Sequence, residues 1–343
     1  MDSLSLFDVE PSPADHAPPT TVATPVRRAH PPHAVRGPVM LAVDGNSLAH
    51  RAFHAYGRVD ESLGVARGGL YGFVALLSAL CEKVGADGLV VGFDCRAGSE
   101  RKRRFADYKA NRSDKDPALY DLLDEAPTVL VELGVPVVVP VGWEADDVVG
   151  SAASAAGAAG WHCVVATSDR DAFGLISDTT TVLRLRSGLD NAVAYTPAVL
   201  RRELGIAPEQ YVEFAALRGD TSDNLPGVPG IGPSRAKALL QAFPTVAAAV
   251  ADPIGCRSVL GKAVGQALID DVASDASVFA RNVDLMRIRR DLAVDIDACR
   301  RTASTDRIER CLRDWGLPML IRRVTAAIGA RPEPVPPPAA PVA

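Results

Sequence analysis

The stretch VMLAVDGNSLAHRAFHA, residues 39–55, sets an apolar run directly against an acid, Asp44. A short apolar run bounded by polar and glycine residues fits a buried strand. Outward from it the same order recurs. GLVVGF (88–93) is followed by Asp94, VPVVVPV (135–141) by GWEADD with Glu144, Asp146 and Asp147, and HCVVAT (162–167) by Asp169 and Asp171. Between these runs stand longer helical patterns, GLYGFVALLSALCEKVG (69–85) and ADDVVGSAASAAGAAG (145–160). Strand then helix, repeated, reads as an α/β fold: a mostly parallel central sheet with helices on both faces.

Ligands of open α/β sheets bind beyond the carboxyl ends of the strands. The seven acids that follow these four runs therefore converge on one crevice, and GDTSDNLPGVPGIG (219–232) adds Asp220 and Asp223. A single aspartate after a strand is ordinarily a helix cap or a turn residue. Four strands that all end in acid ask for more than caps. Carboxylates crowded into one pocket repel each other and hold protons unless cations neutralise them. Without histidine or cysteine at these positions, the oxygen donors suit Mg²⁺ or Mn²⁺.

Composition and organisation narrow the class. A chain of 343 residues, 48% of them hydrophobic, can bury a large core. Residues 1–38 hold eight prolines, and RPEPVPPPAAPVA ends the chain, so 1–38 and 326–343 read as disordered tails. The α/β core is expected over 39–207 and a helical region over 208–325. No C-x-x-C pair, no apolar signal segment and no apolar run near the roughly 20 residues of a membrane span place the chain in the cytoplasm and off the membrane; a monomer is expected. The formal charge of -5 argues mildly against a nucleic-acid binder. Its distribution argues the other way. RAGSERKRRFADYKANR (96–112) carries seven basic residues against two acidic ones, inside a long insertion read as an arch over about 95–140. Phe105 and Tyr108 stand among those cations, where aromatic rings can stack on unpaired bases.

DGNSLAHRAFHA (44–55), FDCRAGSERKRRFADYKANR (93–112), GWEADDVVG (142–150), TSDRDAF (167–173) and GDTSDNLPGVPGIG (219–232) resemble, in order, the motif set of the structure-specific 5′ nucleases. These are the flap endonucleases and the bacterial 5′→3′ exonucleases, including the exonuclease domain of bacterial DNA polymerase I. The resemblance implies a stand-alone exonuclease or flap endonuclease with a PIN-like core and two metal ions. Asp44, Asp94, Glu144 and Asp146 would hold the first, with Asp147 nearby or bound through water; Asp169, Asp171, Asp220 and Asp223 would hold the second. Lys109, Arg112 and Arg101 would grip the scissile phosphate, and Arg51, Arg104 and Tyr108 would contact DNA.

LPGVPGIGPSRAKALL resembles a helix–hairpin–helix whose Gly227, Gly230 and Gly232 let the DNA backbone approach, with Lys237 on the second helix and a K⁺ on backbone carbonyls. The expected partner is branched or nicked DNA, or an RNA–DNA primer. SLSLF (3–7) resembles the peptide by which bacterial replication proteins dock on the sliding clamp, with Leu4, Leu6 and Phe7 as the contacts and Ser3 where glutamine is usual. Three rival classes remain. A non-catalytic helix–hairpin–helix binder has no use for nine acids, a haloacid-dehalogenase-type phosphatase needs a pattern that SDRDAF lacks, and a PIN-type ribonuclease lacks the arch and hairpin.

Overall fold

The computed structural model describes residues 37–56, 65–112, 115–186 and 188–330. The clamp-like segment with Leu4, Leu6 and Phe7 lies outside the described residues. Six strands form the main sheet: β1 (Val39–Asp44), β2 (Gly88–Gly92), β3 (Val137–Val138), β4 (His162–Thr167), β5 (Thr180–Arg186) and β6 (Gly188–Tyr195), in the order β3-β2-β1-β4-β5-β6. The first five run parallel, and β6 pairs antiparallel with β5 at the edge. The chain fills the sheet outward from β1 in one direction and then, from β4, in the other. That reversal puts the switch point of the fold between β1 and β4. The apolar runs anticipate β1 to β4 and miss β5 and β6, which mix buried and partly exposed positions without strict alternation and include several polar residues.

Alternation along β1 sorts the core into two faces. Met40 and Ala42 pack with Val149, Ala152 and Val165 on the side of α5 (Ala145–Ala158), while Leu41 and Val43 pack with residues of α1 (Gly45–Tyr56), α2 (Val65–Val84) and α4 (Pro117–Glu132) on the other. α1 begins immediately after Asp44, an element that the apolar spacing of residues 45–56 does not announce. The short α3 (Glu100–Arg104) opens the basic stretch.

The arch expected over about 95–140 is shorter than that. Leu119, Leu122, Leu123, Ala126, Val129 and Leu130 of α4 are buried in the core, so only residues 96–112 project as a basic segment. Three-and-four spacing of apolar residues governs here: it gives α4 a stripe that must be covered.

Beyond the sheet the chain is helical. α6 (Pro197–Leu204), α7 (Tyr211–Arg218), α8 (Pro233–Ala242), α9 (Val246–Ala251), α10 (Pro253–Leu260), α11 (Lys262–Val272) and α12 (Val278–Met286) share one cluster with the α5 face of the sheet. A small ladder, β7 (Gly219–Asp220) with β8 (Leu225–Pro226), interrupts the run between α7 and α8. The helical region expected as one unit to residue 325 divides. α13 (Thr305–Asp314) and α14 (Ile321–Ile328) return to the opposite face, where Ile308, Leu312, Val324 and Ile328 join the α2–α4 cluster. Arg307 fixes this return by donating to the carbonyls of Glu132 and Val131, each at 2.7 Å. The tail expected from 326 therefore starts too early, because α14 runs to Ile328. Among the described residues no helix is long and apolar enough to cross a membrane.

Truncation separates the covered face of α4 from its exposed face. Leu122→Ala is expected to cost about 2–5 kcal/mol of unfolding free energy, because Leu122 has 0% exposure. Val131→Ala, at a site 54% exposed, should stay within about 0.5 kcal/mol; urea denaturation of the two variants measures the contrast.

Candidate active site

Asp44 ends β1 with both oxygens engaged: Oδ1 accepts the Ser47 N–H at 2.9 Å and Oδ2 the Thr167 hydroxyl at 2.8 Å. It caps the first turn of α1 while the end of β4 steadies it from the next strand. Asp94 is held alike, by the Ala145 N–H at the start of α5 and the Asn46 amide, each at 2.9 Å. Asp169, beyond β4, accepts the Asp171 N–H at 2.9 Å. Cap and turn duties are thus real for these acids. They do not account for the rest of the set.

A cavity of about 980 Å³ opens at these strand ends, lined by Asp44, Asp94, Glu144, Asp146 and Asp169, with Arg51, Lys109, Arg112 and Lys115 around them. Asp146 in the first turn of α5 has its Oδ1 enclosed without a hydrogen-bond partner. Burial, then the charges of Asp44 and Asp169, push its carboxyl well above the usual range. Asp171 is pushed well up by burial and by Asp169, Asp223 and Asp220. Burial raises Asp44 as well, with Asp94 adding to it against the hydrogen bonds from Ser47 and Thr167. An enclosed carboxylate oxygen without a donor costs solvation free energy that nothing in the protein returns. Oxygen donors in this state fit a hard divalent cation. Among the described residues no three of these acids already stand together as a ready-made cage; the cavity gathers Asp44, Asp94, Glu144, Asp146 and Asp169 with basic groups beside them, while Asp171, Asp220 and Asp223 are not among its lining residues.

Two of those basic groups come from the segment 96–112. Lys109 Nζ lies 2.8 Å from Glu144 Oε2, and Arg112 Nη2 lies 2.7 Å from Asp223 Oδ1. Burial alone would raise Glu144, but Lys109 and Arg101 beside it prevail and hold it below its ordinary value. Asp223 is raised by burial, which outweighs Lys109 and Arg112. Arg51 also faces the cavity: its Nη2 donates to Ser168 Oγ at 3.3 Å, while its Nε is enclosed without a partner. Asp220 is turned to its own loop, accepting the Ser222 N–H at 2.8 Å and hydroxyl at 2.6 Å.

Three expectations change. Arg101 is interior, and its guanidinium forms two 2.7 Å hydrogen bonds to Asp147 while Nε donates to the Leu285 carbonyl at 2.7 Å. Asp147 also accepts the N–H groups of Glu144 and Arg289. Both oxygens of Asp147 and the donor face of Arg101 are consumed, so neither is free for a metal or a phosphate. Tyr108 is buried, with its hydroxyl 3.2 Å from Glu144 Oε2, and offers no ring face to a base. Arg104 stays exposed on the surface, 3.0 Å from Asp284, a position that leaves its expected DNA contact open.

The hairpin expectation is likewise corrected at one glycine. Gly219 follows α7 at φ 77°, and a Cβ there would fall 2.2 Å from the Gly227 N; one on Gly227 would fall 2.3 Å from the Arg218 carbonyl oxygen. Gly227 serves this internal approach, and its close neighbour is the protein's own backbone. Gly230 has φ 79°, and its carbonyl accepts Arg235 Nη1 at 2.7 Å. Gly232, the N-cap residue of α8, faces open space. Lys237 is half-buried beside Gly205, whereas Arg235 is exposed.

Sequence reasoning passes over Asn46, Thr167, His50, Lys115 and Arg235. Asn46 and Thr167 are legible as polar residues next to motif acids. His50 and Lys115 carry no signal, since only folding brings them to the cavity. Burial, then Lys115, His54 and Arg112, push the His50 imidazole down to about 4.

A switch-point cavity lined by oxygen donors and basic groups, followed by a helix–loop–helix unit, defines the class as an open α/β protein with a helical second region. Residues 39–205 match the 5′-3′ exonuclease N-terminal resolvase-like domain, and residues 206–307 match the 5′-3′ exonuclease C-terminal SAM fold. The chain belongs to the 5′-3′ exonuclease family. It is 37% identical over 257 residues to DNA polymerase I of Mycobacterium tuberculosis, covering 74% of this chain and 28% of that protein. With DNA polymerase I of Mycobacterium leprae it shares 35% identity over 304 residues, 87% of this chain and 32% of the relative. The chain thus spans about a third or less of the curated relatives it matches. In fold it is similar to the bacteriophage T5 D15 flap endonuclease in a complex with DNA and metal ions, with a TM-score of 0.58, 19% identity, and coverage of 84% of this chain and 99% of that one.

Asp147→Asn tests the buried pair. Leaving Arg101 unpartnered is expected to cost about 3–5 kcal/mol, and the double change Arg101→Met with Asp147→Leu should recover part of it; thermal melts compare them. Burial would raise Asp147, but Arg101 and the two N–H donors depress it. The pair's contribution is accordingly intact above the unfolded Asp value near pH 4 and falls away as pH drops through the lower folded value.

Proposed function

We propose that the chain is a structure-specific 5′ nuclease that hydrolyses phosphodiester bonds at 5′ ends and flaps of branched DNA, using two divalent cations. The observation that carries this reading is the uncompensated carboxylate of Asp146 in a cavity shared with four other acids. A binding module gains nothing from such a cost. Asp44, Asp94, Glu144 and Asp146 would hold one cation, and Asp169, Asp171, Asp220 and Asp223 the other, with Asp147 excluded by its hydrogen bonds to Arg101. Divalent cations bound there supply Lewis-acid stabilisation of the charge that builds on a phosphodiester during in-line displacement.

The protein's own residues orient and neutralise. Lys109 has its ammonium held well above its ordinary value; burial would lower it, and Tyr108, Glu144 and Asp223 outweigh that. It therefore stays charged and acts as a donor to phosphate oxygens, not as a base. Arg112 is the forked counterpart at Asp223. Arg51, with an enclosed unpartnered N–H, is poised for a further phosphate oxygen. Gly230, Gly232 and Arg235, around the start of α8, offer backbone and side-chain donors to the duplex. The T5 D15 flap endonuclease, similar in fold and bound to DNA and metal ions, supports the same substrate class. Mg²⁺ or Mn²⁺ as the ions, a K⁺ at the hairpin, the monomeric state and a sliding-clamp contact through Leu4, Leu6 and Phe7 belong to this proposal, as does the division into an α/β nuclease core and a helical DNA-binding region.

Two measurements test it. With end-labelled 5′-flap, nicked and single-stranded substrates, Asp146→Asn and Asp171→Asn should lower the cleavage rate by about 10²-fold or more while flap binding in Ca²⁺ stays within a few fold, because ligands of this kind act on the transition state. The same two variants should melt higher than the parent in chelator, since each removes a buried carboxyl from a crowd of like charges; wild-type cleavage by either would remove it from the site.

Divalent cation binding should release protons. Asp146 and Asp171 hold protons at pH values where free aspartate is ionised, so Mg²⁺ affinity rises with pH until both are ionised and then levels. Titration calorimetry in buffers of different ionisation enthalpy reads the proton count directly, and a pH-independent affinity would contradict the raised carboxyls.

A further inference from the structure

The segment Asp107–Arg112, which carries Lys109 and Arg112 into the cavity, is fastened to the loop Thr221–Asn224 by hydrogen bonds running in both directions. The Lys109 N–H donates to the Asp223 carbonyl at 2.9 Å. The Asn111 amide donates to the Thr221 carbonyl at 2.8 Å, and the Asn224 amide to the Asp107 carbonyl at 2.8 Å. Lys109 at φ 56° and Asn224 at φ 57° are the non-glycine residues with positive φ among the described residues. They face each other across this junction. Asparagine tolerates the left-handed region better than most residues, but lysine does not, and such backbone persists where its surroundings over-determine it.

We propose that this two-amide clip sets the position of incision. It fixes the basic segment against the helix–loop–helix unit, so that a duplex held by that unit presents one phosphate to Lys109 and Arg112. The inference deepens the nuclease reading and rests on it. Neither Asn111 nor Asn224 lines the acid cavity. Each spends its amide on a backbone carbonyl more than a hundred positions away in the chain. At one end of the basic segment, the buried pair Arg101–Asp147 anchors α3 to α5. At the other, the loop is locked to the end of α7 where Gly219 and Gly227 interlock. Lys109 hangs between these anchors, and the clip is what joins the second to it. A misplacement of about 1 Å at a reacting group can cost on the order of 10²-fold in rate, so a slack junction would both slow and scatter cleavage.

The experiment uses Asn111→Ala, Asn224→Gly and the double variant. Asn224→Gly keeps the positive φ while removing the amide, and Asn111 is exposed, so all three are expected to fold with melting points within about 3 °C of wild type. On an end-labelled 5′-flap duplex, the double variant should spread its products from one dominant length to neighbouring lengths and slow by about threefold to tenfold, the worth of one or two modest hydrogen bonds. A single strand of the same sequence, which has no duplex to hold in register, should be cut at the wild-type rate. Unchanged flap product lengths, or equal slowing on both substrates, overturns the proposal. Amide hydrogen exchange gives a readout that needs no cleavage: a blunt duplex should slow exchange at Lys109 in wild type and not in Asn224→Gly. Absence of that slowing in wild type also overturns the clip. A wild-type protein that cuts neither substrate would instead count against the nuclease reading, and the exchange result would then judge the clip alone.

Discussion

The buried ion pair between Arg101 and Asp147 is the contact on which the arrangement of the site depends. It joins three parts of the chain that are far apart in sequence: α3 at the base of the basic segment, the first turn of α5, and the stretch at the end of α12, whose Leu285 and Arg287 carbonyls take two further guanidinium N–H groups. The Trp143 ring receives both neighbouring cations, with the Arg289 guanidinium 4.2 Å and the Arg101 guanidinium 5.9 Å from its centroid. A fully hydrogen-bonded buried pair is a weak source of net stability, but breaking it is expensive. That asymmetry makes it a constraint on geometry. It sets where the basic segment leaves the core and how the first turn of α5, which carries Asp146, meets the strand ends.

Around that fixed point the protein tolerates an unfavourable concentration of charge. Asp146 and Asp171 sit where their ionised forms are poorly solvated and repelled by neighbours, and hydrogen bonds from Ser47, Thr167, Asn46 and Ala145 steady only Asp44 and Asp94. Lys109 and Arg112 balance Glu144 and Asp223 from one side of the cavity. The sheet makes the crowding possible, since β1 and β4 lie side by side at the switch point and their ends cannot spread without breaking the ladder. Rigidity of the strands thus supplies what the carboxylates themselves oppose.

Physical reasons divide what can be read in the chain from what cannot. Short apolar runs that each end in acid are a local pattern, and local pattern is enough to name β1 to β4, the α/β class and most of the acids at the cavity. Motif order adds the family. Arg101 and Tyr108 read as surface groups because a charge run with interleaved aromatics ordinarily faces solvent; burial by α5 and by the segment after α12 reverses that, and no residue near them in sequence signals it. Gly227 reads as room for a ligand, whereas the end of α7 fills that space.

By itself, then, the sequence determined most of the parallel sheet, the placement of acids at its strand ends and the membership of the family, since each depends on periodicity and on residue types a few positions apart. Only the tertiary structure decided which charged groups remain available. Asp146 and Asp147 are adjacent in sequence and chemically identical, yet one is enclosed with an unpartnered oxygen in the cavity and the other is saturated by Arg101 and two backbone N–H groups. Successive residues of a helix point about 100° apart, so which carboxylate meets the cavity and which meets the guanidinium is fixed by how α5 is rotated against the sheet and by what packs on its far side.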